Sequence, residues 1–392
     1  MSGKLDPKEV EKLKLERYRT KLQELVYKRN NLQNEWHEIK DSIKSLKTFK
    51  EIQLCENRIK GLHDQTTKWV LEWKQWGIWR DPYYPDELQS ELQNAVKETE
   101  NFMQSLENAF DTLDQMLEQQ EFDLHPKKDY GRTHLIQAEY NISIELQKHL
   151  KVKIIPHLST IQWNSFGFTA SWGKITEIGL YRRKINSLPT SFFKLTHLKK
   201  VSLAENHFSS LPNSIRNLKR LKTLWLQKNS LVSLPEAVGD LPSLQSLDLS
   251  NNKLRSALPD SFGNLTSLKT LDLSNNHLRS SPLPESFGNL INLQTLNLSN
   301  NQLTSPLPKS FGNLTSLEVL NLSNNRLSAL PESFGQLKQL LNLDLRNNPI
   351  QNVPESFTNL HNLRVLTLVG SHLPNNQKKE ISSVLTGCTI YW

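Results

Sequence analysis

A pattern of eleven residues, LxxLxLSNNxL, recurs in the second half of the chain and constrains its fold more than any other feature. It begins at Leu244, Leu268, Leu293 and Leu317, and a variant of it begins at Leu340. The same spacing of apolar positions defines nine units, 23 to 25 residues apart, which start at Ile175, Leu198, Leu221, Leu244, Leu268, Leu293, Leu317, Leu340 and Leu363. Such a period predicts a solenoid in which each unit is one coil stacked on the next.

The residues at fixed positions within a unit predict its local structure. Leu247 and Leu249 alternate with polar residues, which predicts one short strand per coil with leucines inward, and stacking makes these strands a parallel sheet. Coils four to six are slightly longer, and their extra residues are predicted to bulge after the strand so that the strands stay in register. A second apolar column is predicted on the return segment, at Phe192, Ile215, Val238, Phe262, Phe287, Phe311, Phe334 and Phe357.

An asparagine follows nearly every predicted strand. Its side chain can satisfy backbone groups that the turn would otherwise bury without partners. Arg183 and Ser371 replace it in the first and ninth units, which are therefore predicted to be the ends of the stack. Residues 166–173 predict a strand and turn that cover one end, and residues 374–392 predict a short helix and a last strand at the other. The structural asparagines are Asn206, Asn229, Asn252, Asn276, Asn301, Asn325 and Asn348.

Residues from about 166 to 392 resemble the intracellular leucine-rich-repeat proteins, among them the Ras-suppressor-like and plant Ras-group scaffolds and prokaryotic relatives. The resemblance is carried by LxxLxLSNNxL and by LPxSFGNL on the return segment. It implies an α/β solenoid, a horseshoe of about nine repeats with a parallel concave sheet that binds a protein partner. By family analogy that partner is a small GTPase or another signalling protein, but the family shares a scaffold and not a ligand.

The first half of the chain predicts an all-α helical hairpin or bundle. Two apolar seams follow the spacing of three and four residues that amphipathic helices show, one interrupted by Arg29 and the other beginning after Asp86. A third helix is predicted at 135–150. The first seam comprises Leu15, Tyr18, Leu22, Leu25, Leu32, Trp36, Ile39, Ile43 and Leu46; the second comprises Leu92, Ala95, Thr99, Phe102, Leu106, Ala109, Leu113 and Met116; Trp69, Trp73 and Trp76 and the break at Asp81 to Pro85 lie between them.

Charge favours pairing of these two helical arms. Residues 1–80 hold 18 basic against 12 acidic side chains, whereas residues 81–160 hold 7 against 15. Packing within one chain is favoured, and self-association through the N-terminal helices is the alternative; the acidic arm could also fold back on the basic first repeats. The predicted domains are a helical domain (1–155), an N-terminal cap (156–173), the repeats (174–373) and a C-terminal cap (374–392).

The composition predicts a cytoplasmic protein without a membrane span. No apolar run reaches 18 residues, the N-terminus lacks the apolar core of a secretory signal, and Cys55 and Cys388 cannot supply a disulfide framework. The sequence predicts no enzyme, metal or cofactor. Gly167 to Ile175 differs from a phosphate-binding loop in its glycine spacing and lacks the Ser or Thr that would hold magnesium. Asp248 and Asp272 are interpreted as polar residues of the repeat consensus rather than as an acid–base pair.

The candidate binding surface lies on the first three units. Residues 174–228 hold 12 Lys and Arg against 2 Asp and Glu, and outward positions there carry large side chains where later units carry Ser, Thr, Asp or Asn. Aromatic residues and arginine are frequent interface anchors, so an acidic protein partner is predicted. Two alternatives remain: Trp225 packs on Lys200 or the helical half, or the basic units bind nucleic acid or an anionic surface, which is disfavoured because no nucleic-acid motif is present. The predicted partner-binding residues are Tyr181, Arg182, Lys200, Trp225 and Lys228.

Overall fold

The computed structural model of the chain describes residues 7–43, 46, 49–75, 86–124, 127–130, 133–279, 283–304 and 307–392. The chain divides into two compact units, Met1–His125 and Pro126–Trp392.

The first unit is a bundle of three helices, α1 (Pro7–Ile43), α2 (Phe49–Gln75) and α3 (Asp86–Leu124). The predicted hairpin or bundle is therefore a bundle, and its additional member is α2. The apolar spacing of Ile52, Cys55, Ile59 and Leu62 indicates a helix in the first half of α2. The sequence prediction used only the tryptophans near the end of this helix. The buried core comprises Trp36 and Ile39 from α1, Ile52, Cys55, Ile59 and Leu62 from α2, and Phe102, Leu106, Ala109 and Leu113 from α3.

Arg29, which interrupts the first seam, is 8% exposed and forms an ion pair with Glu98 of α3. A buried cation needs such a partner because desolvation is otherwise costly. Part of the predicted seams lies outside the described residues: the side chains of Leu15, Tyr18, Leu22, Leu25, Trp69, Trp73 and Leu92, and the whole of residues 76–85.

The second unit begins with a cap that the sequence analysis did not fully predict. The strands β1 (Lys127–Tyr130) and β2 (Thr133–Ile136) form an antiparallel hairpin, and α4 (Gln137–Leu150) follows. Ile142 and Leu146 of α4 belong to the same buried core as the repeats. The helix therefore packs with the solenoid, whereas the predicted boundary at residue 155 groups it with the helical domain; the two units divide 30 residues earlier.

A single eleven-stranded sheet runs through the repeats in sequence order, which confirms the α/β solenoid. The first strand is antiparallel to the second, as the predicted edge cover requires, and all later neighbours are parallel. The strands are β3 (Phe166–Ser171), β4 (Lys174–Leu180), β5 (Lys200–Ser202), β6 (Thr223–Trp225), β7 (Ser246–Asp248), β8 (Thr270–Asp272), β9 (Thr295–Asn297), β10 (Val319–Asn321), β11 (Asn342–Asp344), β12 (Val365–Thr367) and β13 (Thr389–Tyr391).

The strands stay in register through the longer coils. Leu247 pairs with Leu271, which in turn pairs with Leu296, so the inward leucines remain aligned. Residues 280–282 and 305–306, where two of the three insertions fall, lie outside the described residues. At the far end, α5 (Asn375–Val384) and β13 close the stack.

Short 3-10 helices on the return segments hold the second apolar column. Phe262, Phe287, Phe311, Phe334 and Phe357 are each fully buried, and successive rings lie 6.1 to 6.3 Å apart with interplanar angles of 2 to 12°. The aromatic column therefore joins five coils by continuous ring contact.

The structural asparagine of seven coils binds its own coil to the preceding one. Asn252 Nδ2 donates to the carbonyls of Leu226 and Leu249, both at 3.0 Å, and its Oδ1 accepts the backbone N–H of Leu231 at 3.0 Å. Two of these partners lie in the preceding coil, so the amide closes both the turn and the contact between coils. Equivalent bonds are made by Asn206, Asn229, Asn276, Asn301, Asn325 and Asn348.

Glycine near the end of five 3-10 helices allows the next coil to approach. A Cβ atom on Gly335 would lie 2.0 Å from the carbonyl oxygen of Ser356.

We expect Gly335→Ala to lower the free energy of unfolding by roughly 1–3 kcal/mol, because backbone must move to relieve the overlap. Gly387→Ala is the matched control, since nothing lies within 4 Å of its Cβ position. Equal urea midpoints for the two variants would contradict this account of coil spacing.

Candidate functional site

The outward side chains of β4, β5 and β6 form the start of the sheet face, the surface that the outward residues of the parallel strands create. Lys200 lies between Glu177 and Thr223 in the strand register, and Ser202 lies between Gly179 and Trp225. Trp225 is partly buried, and its other neighbour in register is Asp248. Two of the predicted binding residues, Lys200 and Trp225, thus lie on adjacent strands.

A third aromatic residue, Trp163, joins this surface and was missed by the sequence analysis. Its ring packs edge-to-face on Tyr181, with centroids 5.5 Å apart, and its carbonyl accepts a hydrogen bond from the Ser202 hydroxyl. The Arg182 guanidinium lies 5.2 Å from the centre of the Tyr181 ring. Trp163 therefore contacts both Tyr181 and the buried Ser202, and Trp225 is the neighbour of Ser202 in the strand register.

The segment 161–165 reaches the sheet face because β4 makes room for it at Gly179. A Cβ atom on Gly179 would lie 2.5 Å from the carbonyl oxygen of Ser165, so only glycine fits there. The backbone N–H of Ile161 donates to Glu177 Oε2 at 2.9 Å. This segment lies before the first repeat and is not part of the repeat pattern. The sequence therefore does not predict its contact with β4 and β5.

One edge of the sheet face, which we name the turn rim, is formed by the residue before each structural asparagine position. It comprises Arg182, Glu205 and Lys228, followed by Asn251, Asn275, Asn300, Asn324 and Asn347, and all have positive φ between 52 and 57°. Asparagine tolerates this left-handed region, whereas other non-glycine residues lose roughly 1–2 kcal/mol there. The first three positions instead carry long charged side chains, at a backbone cost of that order.

Glu205 holds the two cations of the turn rim. Its carboxylate accepts hydrogen bonds from Lys228 Nζ, at 2.8 Å, and from Arg182 Nε. The hydrogen bond from Lys228, followed by the hydrogen bond and charge of Arg182, holds the pKa of Glu205 below its ordinary value. The carboxylate is therefore charged at neutral pH and offsets part of the positive charge that the sequence analysis assigned to this surface.

Lys200 is also paired within the chain. Its Nζ lies 2.8 Å from Glu177 Oε1. The three predicted cations, Arg182, Lys200 and Lys228, are thus accompanied by two carboxylates. Sequence reasoning counted the charges of residues 174–228 correctly but could not assign these pairs, because each joins residues of neighbouring coils 23 positions apart.

The two carboxylates on the next strands are structural. Asp248 and Asp272 accept the backbone N–H groups of Ser250 and Ser274 at 2.9 and 2.8 Å, and Asn297 Nδ2 donates to Asp272 at 3.1 Å. Burial raises the pKa of Asp248, and the nearby charge of Asp272 acts in the same direction. These side chains stabilise the turns after their strands through hydrogen bonds to the backbone. This supports their interpretation as polar residues of the repeat consensus rather than as an acid–base pair.

Lys174, at the start of β4, and His197 of the same coil form a basic pair. Lys174 is 1% exposed, and its Nζ lies 3.1 Å from His197 Nε2. Burial, and then the charges of Lys174, Arg220 and Lys199, lower the pKa of His197 to about 3. The imidazole is therefore neutral at pH 7, and its Nε2 can accept a hydrogen bond from Lys174 Nζ.

Within the ranges that the structure describes, no three His, Cys, Asp or Glu side chains are grouped to hold a metal ion. No helix among the described residues is long and apolar enough to cross a bilayer.

Family comparisons match most of the repeat region. A family model described as a leucine-rich repeat region matches residues 186–282, and two leucine-rich-repeat models match residues 283–327 and 339–360. A comparison with curated proteins gives no match.

Several solved structures are similar to part of the chain. The leucine-rich-repeat protein LIC12759 of Leptospira interrogans is 25% identical over 55% of this chain and 84% of its own, with a TM-score of 0.32. The plant peptide hormone receptor RGFR1, in complex with RGF2, is 28% identical over 52% of this chain and 37% of its own, with a TM-score of 0.44. The ectodomain of GASSHO1/SCHENGEN3 from Arabidopsis thaliana, in complex with CASPARIAN STRIP INTEGRITY FACTOR 2, is 22% identical over 60% of this chain and 33% of its own, with a TM-score of 0.48. The chain spans about a third of the length of these two receptor chains.

Proposed function

Because the chain is a leucine-rich-repeat protein, and leucine-rich-repeat domains generally mediate protein–protein interactions, we propose that it is a non-enzymatic scaffold that binds a protein partner. The partner would bind on the sheet face of the first three coils. The observation that carries this proposal is that Trp163 packs on Tyr181 and that Trp225 lies beside Ser202, the hydrogen-bond partner of Trp163, in coils whose outward residues depart from the repeat.

The chemistry of this surface suits a protein partner. Rigid aromatic side chains bury much apolar area while losing little conformational freedom, and they dominate binding energy when a partner covers them. Arg182, Lys200 and Lys228 lie on the same three coils as Tyr181 and Trp225 and supply the charged groups that a polar rim requires. The corresponding strand positions in later coils are Asp272, Asn297 and Asn321, which offer no such anchor.

The helical unit is proposed as a second interaction arm. The described part of its apolar seams is occupied within the chain, since α1, α2 and α3 each contribute to one buried core. This supports packing within one chain over a coiled-coil dimer. A partner would then contact the charged outer faces of the helices.

Truncation of Trp225 tests the site. We expect Trp225→Ala to weaken partner binding by about thirtyfold, which corresponds to ~2 kcal/mol for a buried aromatic anchor. The melting temperature should stay nearly unchanged, because the side chain lies on the outward side of the strand. The partner is isolated from nuclease-treated lysate on the wild-type chain, and its affinity for both proteins is measured by titration.

Thr367→Ala is the matched control, since Thr367 occupies the same strand position in the ninth coil. It should bind the partner as the wild type does. Unfolding of Trp225→Ala, or unchanged affinity, would make Trp225 a packing residue and reject the site. Loss of the captured material on nuclease treatment would instead support the nucleic-acid alternative.

A further inference from the structure

The glycine that lets one coil approach the next is missing from the first coil. In the return segments of coils three to seven this position is glycine, and a Cβ atom on Gly263 would lie 2.2 Å from the carbonyl oxygen of Ser286. Phe193 occupies the same position in the first coil and is 3% exposed. A side chain there requires a wider separation from the second coil, and the return segments of these two coils pack less closely than those of later coils.

The second coil also lacks the phenylalanine of the aromatic column. Ile215 stands at that position, so the second coil offers no ring on which Phe192 of the first coil could stack, whereas the rings of later coils lie 6.1 to 6.3 Å apart. The ring of Phe192 instead meets that of Phe193 edge-to-face, with centroids 5.4 Å apart. The wider separation and the smaller side chain together leave space between the first two coils.

A cavity of about 190 Å³, which we name the coil-gap cavity, occupies this space. The exposed residues Ser187 and Ser210 stand at its opening. The carbonyl oxygen of Ser187 lies 3.0 Å from His149 Nε2 of α4, a contact that fixes one side of the opening. The wall is apolar and buried, since its six main side chains are each at most 3% exposed: Phe192, Phe193, Val201, Leu203, Phe208 and Ile215.

The chemistry of the wall determines which ligand the coil-gap cavity can hold. Within the described range 133–279, no charged side chain lines it. A charged molecule would therefore lose its hydration there without gaining a partner, and water is poorly held because an apolar wall offers it few hydrogen bonds. Apolar cavities of about 150 Å³ in other proteins stay dry and bind benzene, so the coil-gap cavity has room for a molecule of that size.

We infer that the coil-gap cavity binds a small uncharged apolar molecule with a single aromatic ring. Such a ligand restores the contacts that Phe192 lacks on its second-coil side, and because it binds only the folded chain it stabilises the repeats. Val201 and Leu203 are inward residues of β5, on the opposite side of the strand from Lys200. The site is therefore separate from the proposed partner surface, and neither depends on the other.

The test follows the methyl resonances of the full chain, labelled at Ile, Leu and Val, while toluene is added. We expect saturable shifts at Val201, Leu203 and Ile215, with a dissociation constant at or below about 1 mM. Benzoate, which has the same ring and a negative charge, should bind at least about tenfold more weakly. Equal binding of benzoate would overturn the inference, as would shifts that do not saturate or that lie away from the cavity wall.

Two variants fill the coil-gap cavity. Ile215→Phe restores the column residue of the repeat, and Leu211→Phe fills the space from another lining position. Each should bind toluene at least about tenfold more weakly than wild type, because the ring of the new side chain takes the place of the ligand. Val238→Ile, at the column position of the third coil and outside the cavity wall, is the matched control and should bind as the wild type does. Melting temperatures verify that each variant is folded. Unchanged toluene affinity in a folded filling variant, or an equal loss in Val238→Ile, would contradict the site.

Discussion

Phe311→Ala is expected to lower the free energy of unfolding of the repeats by about 3–5 kcal/mol, the usual loss for a large aromatic residue in a packed core. Phe311 is fully buried, and its ring lies between those of Phe287 and Phe334, at 6.3 and 6.1 Å. Truncation would leave a cavity in the middle of a column that joins five coils. Because each coil is stabilised mainly by its neighbours, the loss should reach coils on both sides. Urea denaturation followed by circular dichroism measures it.

Phe311→Leu provides the control, since it keeps most of the apolar volume and should cost clearly less. Native-state hydrogen exchange adds a spatial readout: protection should fall in β9, β10 and β11 together. A loss below about 1 kcal/mol for Phe311→Ala, or a change confined to one coil, would contradict the aromatic column as the element that couples the coils.

Acidification is expected to destabilise the second unit through His197. Its folded-state pKa of about 3 lies below the 6.5 expected for an unfolded histidine. Between these values the unfolded chain binds a proton that the folded chain does not, so stability falls as pH drops through 6.5 towards 3 and is unaffected above about pH 7.5. At pH 4.5 this term amounts to roughly 2–3 kcal/mol.

The variant His197→Gln isolates this term, because glutamine can still accept a hydrogen bond from Lys174 but does not titrate. Its loss of stability between pH 7.5 and 4.5 should be smaller than that of wild type by about the same 2–3 kcal/mol. The variant His277→Gln, which replaces an exposed histidine of the repeats, is measured in parallel as a control for the substitution itself. Identical pH dependence of wild type and His197→Gln would show that the buried imidazole does not oppose protonation.

The sequence predicts the solenoid well because its inward positions are fixed by a physical requirement that every coil shares. A leucine at position 247 or 271 must face inward for neighbouring coils to pack, so period and register can be taken directly from the spacing. The asparagine positions follow for the same reason: Asn252 satisfies backbone groups that every such turn buries.

The sequence predicts the candidate site less completely, because its contacts join segments without a common spacing. Trp163 reaches Tyr181 from the cap, and Glu205 pairs with cations of the coils before and after it. Nothing in the local pattern of 137–150 indicates whether the amphipathic helix α4 packs on other helices or on the repeats. Composition gives the excess of basic residues in 174–228, but only the structure shows that Arg182 and Lys228 are paired with Glu205.

The central claim is that a protein partner contacts the sheet face of the first three coils, and site-specific photocrosslinking tests it most directly. A benzophenone amino acid is placed at Trp225 and, in a second protein, at Thr367, the same strand position in the ninth coil. Each is irradiated with the isolated partner, and the adduct yield is measured. We expect a strong protein adduct from position 225 and little from position 367. Equal yields, or an adduct from position 367 alone, would contradict the account.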